Sequence, residues 1–102
     1  MKIDILTLFP EMFTGFLTTS IIKRSLEKGL VTVNLHDFRE FSKDKHKHVD
    51  DYPYGGGQGM VLMCEPIVEC LKSIASDESF IILMSPQGVT LNHGVAVDLS
   101  KK

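Results

Sequence analysis

The chain has 102 residues, of which 43% are hydrophobic and 24% charged, and a net charge of −2. That is room for one domain with a real hydrophobic core, and not for two. The slight negative balance excludes a molecule whose whole surface grips a polyanion, so any nucleic-acid contact must come from a local patch.

The first stretch, "KIDILTLF" (Lys2 to Phe9), is a compact apolar run of strand length that ends at Pro10. Asp4, Pro10 and Glu11 break its hydrophobicity, and no basic n-region, long h-region or small-residue cleavage site marks it as a leader. No run in the chain approaches roughly 18 consecutive apolar residues, so no membrane span is predicted and a cytoplasmic location is expected. Pro10 suits a first helical position and Glu11 favours the positive helix start, so "PEMFTGFL" reads as a short helix. Gly15 and the Thr18-Thr19-Ser20 cluster interrupt it. Ser20 is expected to cap a second helix, "IIKRSLEK", which Gly29 ends as a left-handed C-cap.

"LVTVNLHDF" (Leu30 to Phe38) alternates Val31, Val33 and Leu35 against Thr32, Asn34 and His36, the period of a strand. From Arg39 to Gly59 the pattern dissolves into charge and then glycine, which predicts a long loop. Glu65-Pro66 opens a helix with Ile67, Val68, Leu71, Ile74 and Ala75 on one face. Cys64 and Cys70, the only cysteines, are not spaced as C-x-x-C and make no zinc framework. They read as buried free thiols of a reducing compartment. "SFIILM" (Ser79 to Met84) is expected as a buried strand, "SPQG" as a turn, and Asn92 as the cap of a last helix holding Val95, Ala96 and Leu99. Strands alternating with helices predict an α/β domain, a parallel sheet with helices on both faces.

Three stretches have the residue types that chemistry needs. Ser85 to Gly88 follow an expected strand, where ligands of open parallel sheets sit, though Ser, Pro and Gly also make a plain turn. "KDKHKHVDD" sets Lys43, Lys45 and Lys47 beside His46 and His48, ahead of Asp50 and Asp51. It can contact phosphates, hold a divalent metal through the histidines and an aspartate, or form a solvated charged loop. "VDDYPYGGGQGM" (Val49 to Met60) concentrates Gly55, Gly56, Gly57 and Gly59. Ordering glycine costs more backbone entropy than ordering any other residue, so such a loop serves a close backbone approach or a movement. Successive N–H groups could form an anion nest, or a hinge could fold Tyr52 and Tyr54 over a substrate. No G-K-[ST] follows, so it is not a P-loop.

"LFPEMF" (Leu8 to Phe13), "VDDYPYGGGQGM" and "SPQG" stand in the order and spacing of the bacterial tRNA (guanine-N1)-methyltransferases, and the chain resembles this TrmD family of the SPOUT class over its whole length. The resemblance implies an enzyme that moves a methyl group from S-adenosylmethionine to N1 of the guanosine adjacent to the anticodon. It implies tRNA rather than DNA as partner, a homodimer with active sites at the subunit interface, and dependence on magnesium, for which no metal ligands are assigned. By the match, Leu83, Met84, Ser85 and Pro86 would line the methyl-donor pocket. Arg39, Lys43, His46, Asp50, Tyr54, Gly55, Gly56, Gly57 and Gly59 would meet the tRNA or shape the pocket rim. Family members continue to a second glycine loop that completes a trefoil knot, a linker with the catalytic base, and a helical tRNA-binding domain. Residues 1–102 are therefore expected to be the N-terminal part of the methyltransferase domain, with the knot not completed, no catalytic base and no activity alone. The rival expectation is a non-enzymatic RNA-binding α/β module that stacks bases on its tyrosines.

Overall fold

The structure, a computed structural model, describes residues 1–53 and 55–102. Strand β1 (Lys2–Thr7) leads into a 3-10 turn at Pro10–Phe13 and a single helical turn, α1 (Thr14–Leu17). Helix α2 (Ser20–Glu27) returns the chain to β2 (Thr32–Asp37), and a second 3-10 turn spans Phe38–Phe41. Two short strands follow, β3 (Asp50–Asp51) and β4 (Val61–Leu62), then α3 (Cys64–Ile74) and α4 (His93–Ser100).

β1 and β2 pair in parallel, in register from Lys2 with Thr32 to Thr7 with Asp37. The crossover between them is the α1–α2 segment, as a parallel pair requires. Its end is built as the glycine predicts: Gly29 has φ +71°, its N–H bonds the Leu26 carbonyl at 3.1 Å, and the Leu30 N–H bonds the Ser25 carbonyl at 3.0 Å. This is the Schellman arrangement, which satisfies the last carbonyls of α2. The start of α2 differs from expectation. Thr19 occupies the cap position without a capping side-chain bond, because its hydroxyl donates to the Gly15 carbonyl, and Ser20 enters the helix with φ +55°.

The register sorts side chains onto two faces. Ile3 and Ile5 stand beside Val33 and Leu35 on one face, while Asp4 stands beside Asn34 on the other. Asp4 Oδ1 accepts from Asn34 Nδ2 at 3.2 Å and from His36 Nε2 at 2.9 Å. The His36 hydrogen bond, with help from Asn34 and Lys2, holds the Asp4 carboxyl below its ordinary value against the opposing effect of burial. One half-buried carboxylate thus ties the two strands together through side chains as well as through the backbone ladder.

The core sits at the carboxyl end of this pair. Phe38 is 5% exposed, Val49 2% and Cys70 fully buried, and Leu6, Leu8, Phe41 and Ile67 pack around them. Helix α3 buries Pro66 and supplies Cys70 to this core, and burial raises the Cys70 thiol above its usual range. Pro66 stands in the first turn, where a missing N–H leaves no intrahelical bond unmade. Ile67, Leu71, Ile74 and Ala75 of the expected stripe are partly buried, but Val68 is exposed, and Cys64, expected buried, is exposed as well. Asn92 caps α4 as expected, its Oδ1 accepting from the Val95 N–H at 2.9 Å.

The expected strand at Ser79 to Met84 does not form. A strand exists only through a ladder partner, and no other strand pairs with this segment among the described residues. Its side chains remain open, with Leu83 85% and Met84 86% exposed. The radius of gyration, 16.0 Å, accordingly exceeds the roughly 13 Å of a compact chain of this length. The architecture is α/β around a parallel strand pair.

Asp4→Asn in the full chain is expected to lower unfolding free energy by about 1 kcal/mol at neutral pH. Because the folded carboxyl is depressed, its contribution is present above the unfolded-state value near 3.8 and is lost as pH falls through the folded value. Urea melts of both proteins at pH 7 and pH 3 check this: the gap should narrow at the acid end.

Candidate functional site

The glycine segment is the tip of a hairpin. β3 and β4 pair antiparallel, Asp50 opposite Leu62 and Asp51 opposite Val61, so residues 52–60 form the connecting loop. The predicted long loop therefore carries more order than its sequence suggests. At the foot of the hairpin the Met63 N–H bonds the carbonyl of buried Val49 at 2.6 Å, which fixes the ribbon to the core. Gly55, Gly56 and Gly59 have φ of +84°, +79° and +82°, and each would meet open space if it carried a Cβ. These are the positions where backbone conformation requires glycine. Gly57 lies outside the left-handed region, and a Cβ there would touch Pro53 Cγ at an ordinary 3.6 Å. Asp51 Oδ1 accepts from the Tyr52 N–H at 2.7 Å and so shapes the turn into the loop. Tyr54, expected at the rim, lies outside the described residues.

A cleft of about 380 Å³ opens beside this ribbon, between Asp51 with the loop residues Tyr52 and Pro53 on one side and Val61 to Cys64 on the other. Its walls combine an aromatic ring, apolar side chains and one carboxylate.

The basic segment precedes the hairpin and is held by three devices. Arg39 Nη1 donates to the Lys47 carbonyl at 3.2 Å, and Ser42 Oγ donates to the His48 carbonyl at 2.6 Å. Asp44 pairs with His48 across one turn of chain. The His46 backbone N–H also donates to Asp44, and chiefly for that reason the Asp44 carboxyl is held below its ordinary value. Lys47 takes φ +57°, turning the chain back toward Val49. Lys43 Nζ reaches Glu65 Oε1 at 3.0 Å on the first turn of α3. The imidazoles of His46 and His48 lie 5.8 Å apart, centroid to centroid. Among the described residues no group of three or more His, Cys, Asp or Glu side chains could hold a metal ion.

Residues 80–84 line a second, more apolar cleft of about 460 Å³ with α4, whose Val95 and Leu99 form the opposite wall. Leu83, Met84 and Ser85 face it, and Pro86 is not among its lining residues. Ser85 closes the "SPQG" turn twice: its carbonyl accepts from the Gly88 N–H at 3.1 Å and its Oγ from the Gln87 N–H at 3.2 Å. A Cβ on Gly88 would stand 3.4 Å from that carbonyl. Of the expected rim residues, Lys43 meets the start of α3 through Glu65, Asp50 stands in the hairpin strand opposite Leu62, and Arg39 is tied to the basic segment at Lys47. The structure does not place Leu83, Met84 and Ser85 in the hairpin cleft, since no residue lines both clefts. Sequence reasoning missed Glu65 as a partner of the basic segment. The contact is long-range, and the only local signal was an acidic residue in a first helical turn.

The whole chain, residues 1–102, matches the family model described as tRNA (Guanine-1)-methyltransferase TrmD. It is 52% identical over 102 residues to the tRNA (guanine-N(1)-)-methyltransferase of Carboxydothermus hydrogenoformans, covering 100% of this chain and 40% of that protein. It is 49% identical to the protein of the same name from Dictyoglomus turgidum, covering 42% of it. The chain thus spans about two-fifths of the length of these curated relatives. Among solved structures, the tRNA (m1G37) methyltransferase of Aquifex aeolicus superposes with a TM-score of 0.84 at 36% identity, over 99% of this chain and 46% of that one.

The glycine geometry separates two kinds of substitution. Gly55→Ala and Gly59→Ala should each strain the hairpin by about 1–2 kcal/mol, the cost of a left-handed backbone for a residue with a Cβ. Gly57→Ala should change stability by less than about 0.5 kcal/mol. Thermal melts with amide hydrogen exchange of residues 50–62 read both effects.

Proposed function

The chain belongs to the tRNA (guanine-1)-methyltransferase TrmD family, and on that premise we propose that it takes part in transferring a methyl group from S-adenosylmethionine to N1 of the guanosine adjacent to the anticodon in tRNA. The observation that carries the reading is the family match along all of residues 1–102. We further infer that these residues act as the N-terminal part of the methyltransferase domain within a homodimer, and are inactive by themselves.

The apolar cleft beside residues 80–84 suits the donor. Leu83 and Met84 offer open apolar surface for a purine, and the Ser85 turn brings backbone groups and the glycine-permitted approach at Gly88 alongside. The donor supplies an electrophilic methyl on a sulfonium. The glycine hairpin and the basic segment suit the RNA side: exposed Tyr52 presents a face for stacking, and Lys45 and Lys47 present charge to phosphates. Guanine N1 carries a proton, which a base within hydrogen-bond reach must accept. Asp51 Oδ1 accepts from the Tyr52 N–H and orders the turn into the loop, which supports a positioning role for it.

The test is incubation of the full-length protein with labelled S-adenosylmethionine and unmodified tRNA, followed by digestion to nucleosides. Label in 1-methylguanosine is the expected result. Label confined to another base, or to another guanine position, overturns it. Calorimetry with the donor separates the enzyme from a non-enzymatic RNA-binding module, which would give no heat. Leu83→Asp should weaken donor binding about tenfold or more, because a carboxylate would be desolvated against the ligand.

A further inference from the structure

The three lysines of the basic segment are not equivalent. Lys43 Nζ lies 3.0 Å from Glu65 Oε1, whereas Lys45 and Lys47 form no ion pair among the described residues. Glu65 sits in the first turn of α3, where the helix end favours its negative charge. Glu69, one turn further on, adds to the field at the Lys43 ammonium, and the two carboxylates together hold its proton more tightly than usual, Glu65 first. The pair is open to water on both sides, with the Lys43 side chain 74% and the Glu65 side chain 53% exposed. Exposed pairs of this kind are weak and screened by salt, so the partner can be exchanged.

We propose that Glu65 sets the affinity of the RNA-facing surface by competing with an RNA phosphate for Lys43. Lys45 and Lys47 make the standing phosphate contacts, and Lys43 joins them only by leaving Glu65. The inference rests on the RNA reading given above and adds to it a residue on α3 that opposes binding. The physical reason is charge balance. A phosphate that takes Lys43 must approach a carboxylate left without its counterion, and that cost offsets part of what counterion release from the RNA contributes. A cation already neutralised by Glu65 adds little to the salt dependence of binding, whereas a free one adds about one charge to it.

The experiment measures binding of the full-length protein to an unmodified tRNA transcript by anisotropy across a salt series. Lys45→Gln and Lys47→Gln should each reduce the slope of log affinity against log salt by about one. Lys43→Gln should reduce it clearly less, and this comparison leaves α3 untouched. Glu65→Gln should raise affinity about 2- to 5-fold at low salt, as expected for release of an exposed pair. In the Glu65→Gln background, Lys43→Gln should then lower the slope as much as the other two substitutions do. If Lys43→Gln already equals them in the unaltered protein, or if Glu65→Gln leaves affinity unchanged or lowers it, the competition is wrong while the RNA reading stands. If no lysine substitution alters the slope, the RNA reading of this segment fails, and the inference with it.

Discussion

Parallel pairing of β1 with β2 obliges both strands to leave the sheet at the same edge, and the remainder of the chain is arranged around that obligation. Leu8 emerges from one strand and Phe38 from the other, side by side, and their apolar surface needs a lid. Val49 and Cys70 supply it, which draws the end of the basic segment and the middle of α3 to one point. The hairpin follows from the same geometry, because Val49 leads directly into β3 and its carbonyl takes the N–H of Met63 just before α3. A small cluster of buried side chains thus fixes the base of a ribbon whose tip stays free.

Local signals were readable wherever the physics is local. Gly29 needed φ above zero to close α2, and Asn92 needed only its own side chain to cap α4, so both were legible from residue type. The alternation in "LVTVNLHDF" gave its strand, bounded one or two residues inside the expected span. Ser20 misled because the helix begins with it, so the cap position falls to Thr19, whose hydroxyl bonds the preceding turn. Ser79 to Met84 misled for a deeper reason. Its residues have strand propensity, but propensity describes how side chains fit a pleated surface and cannot supply the neighbouring ladder. The same holds at the site. The glycine cluster announced itself by composition, yet which of the four required positive φ, and that Gly57 did not, depended on the hairpin register. The Lys43–Glu65 pair joins residues separated by the entire hairpin, and no periodicity connects them.

Two clefts of different character share the molecule. The one beside the hairpin mixes a carboxylate and a tyrosine with apolar walls, and polar anchors of that kind give orientation and discrimination. The one beside residues 80–84 is largely aliphatic and open, and an aliphatic wall gives adhesion without much discrimination. The two clefts lie on separate stretches of chain, and no residue lines both.

The contrast between the two thiols has a practical side. Cys70 is enclosed, and its elevated proton affinity leaves little nucleophilic thiolate, while Cys64 stands open on the wall of the hairpin cleft. Thiol-directed dyes and spin labels react through the thiolate and require access, so they would select Cys64 without any cysteine being removed from the chain. A fluorophore there would stand at the base of the glycine ribbon, and rearrangement of that ribbon around a ligand would be visible optically in the unaltered sequence.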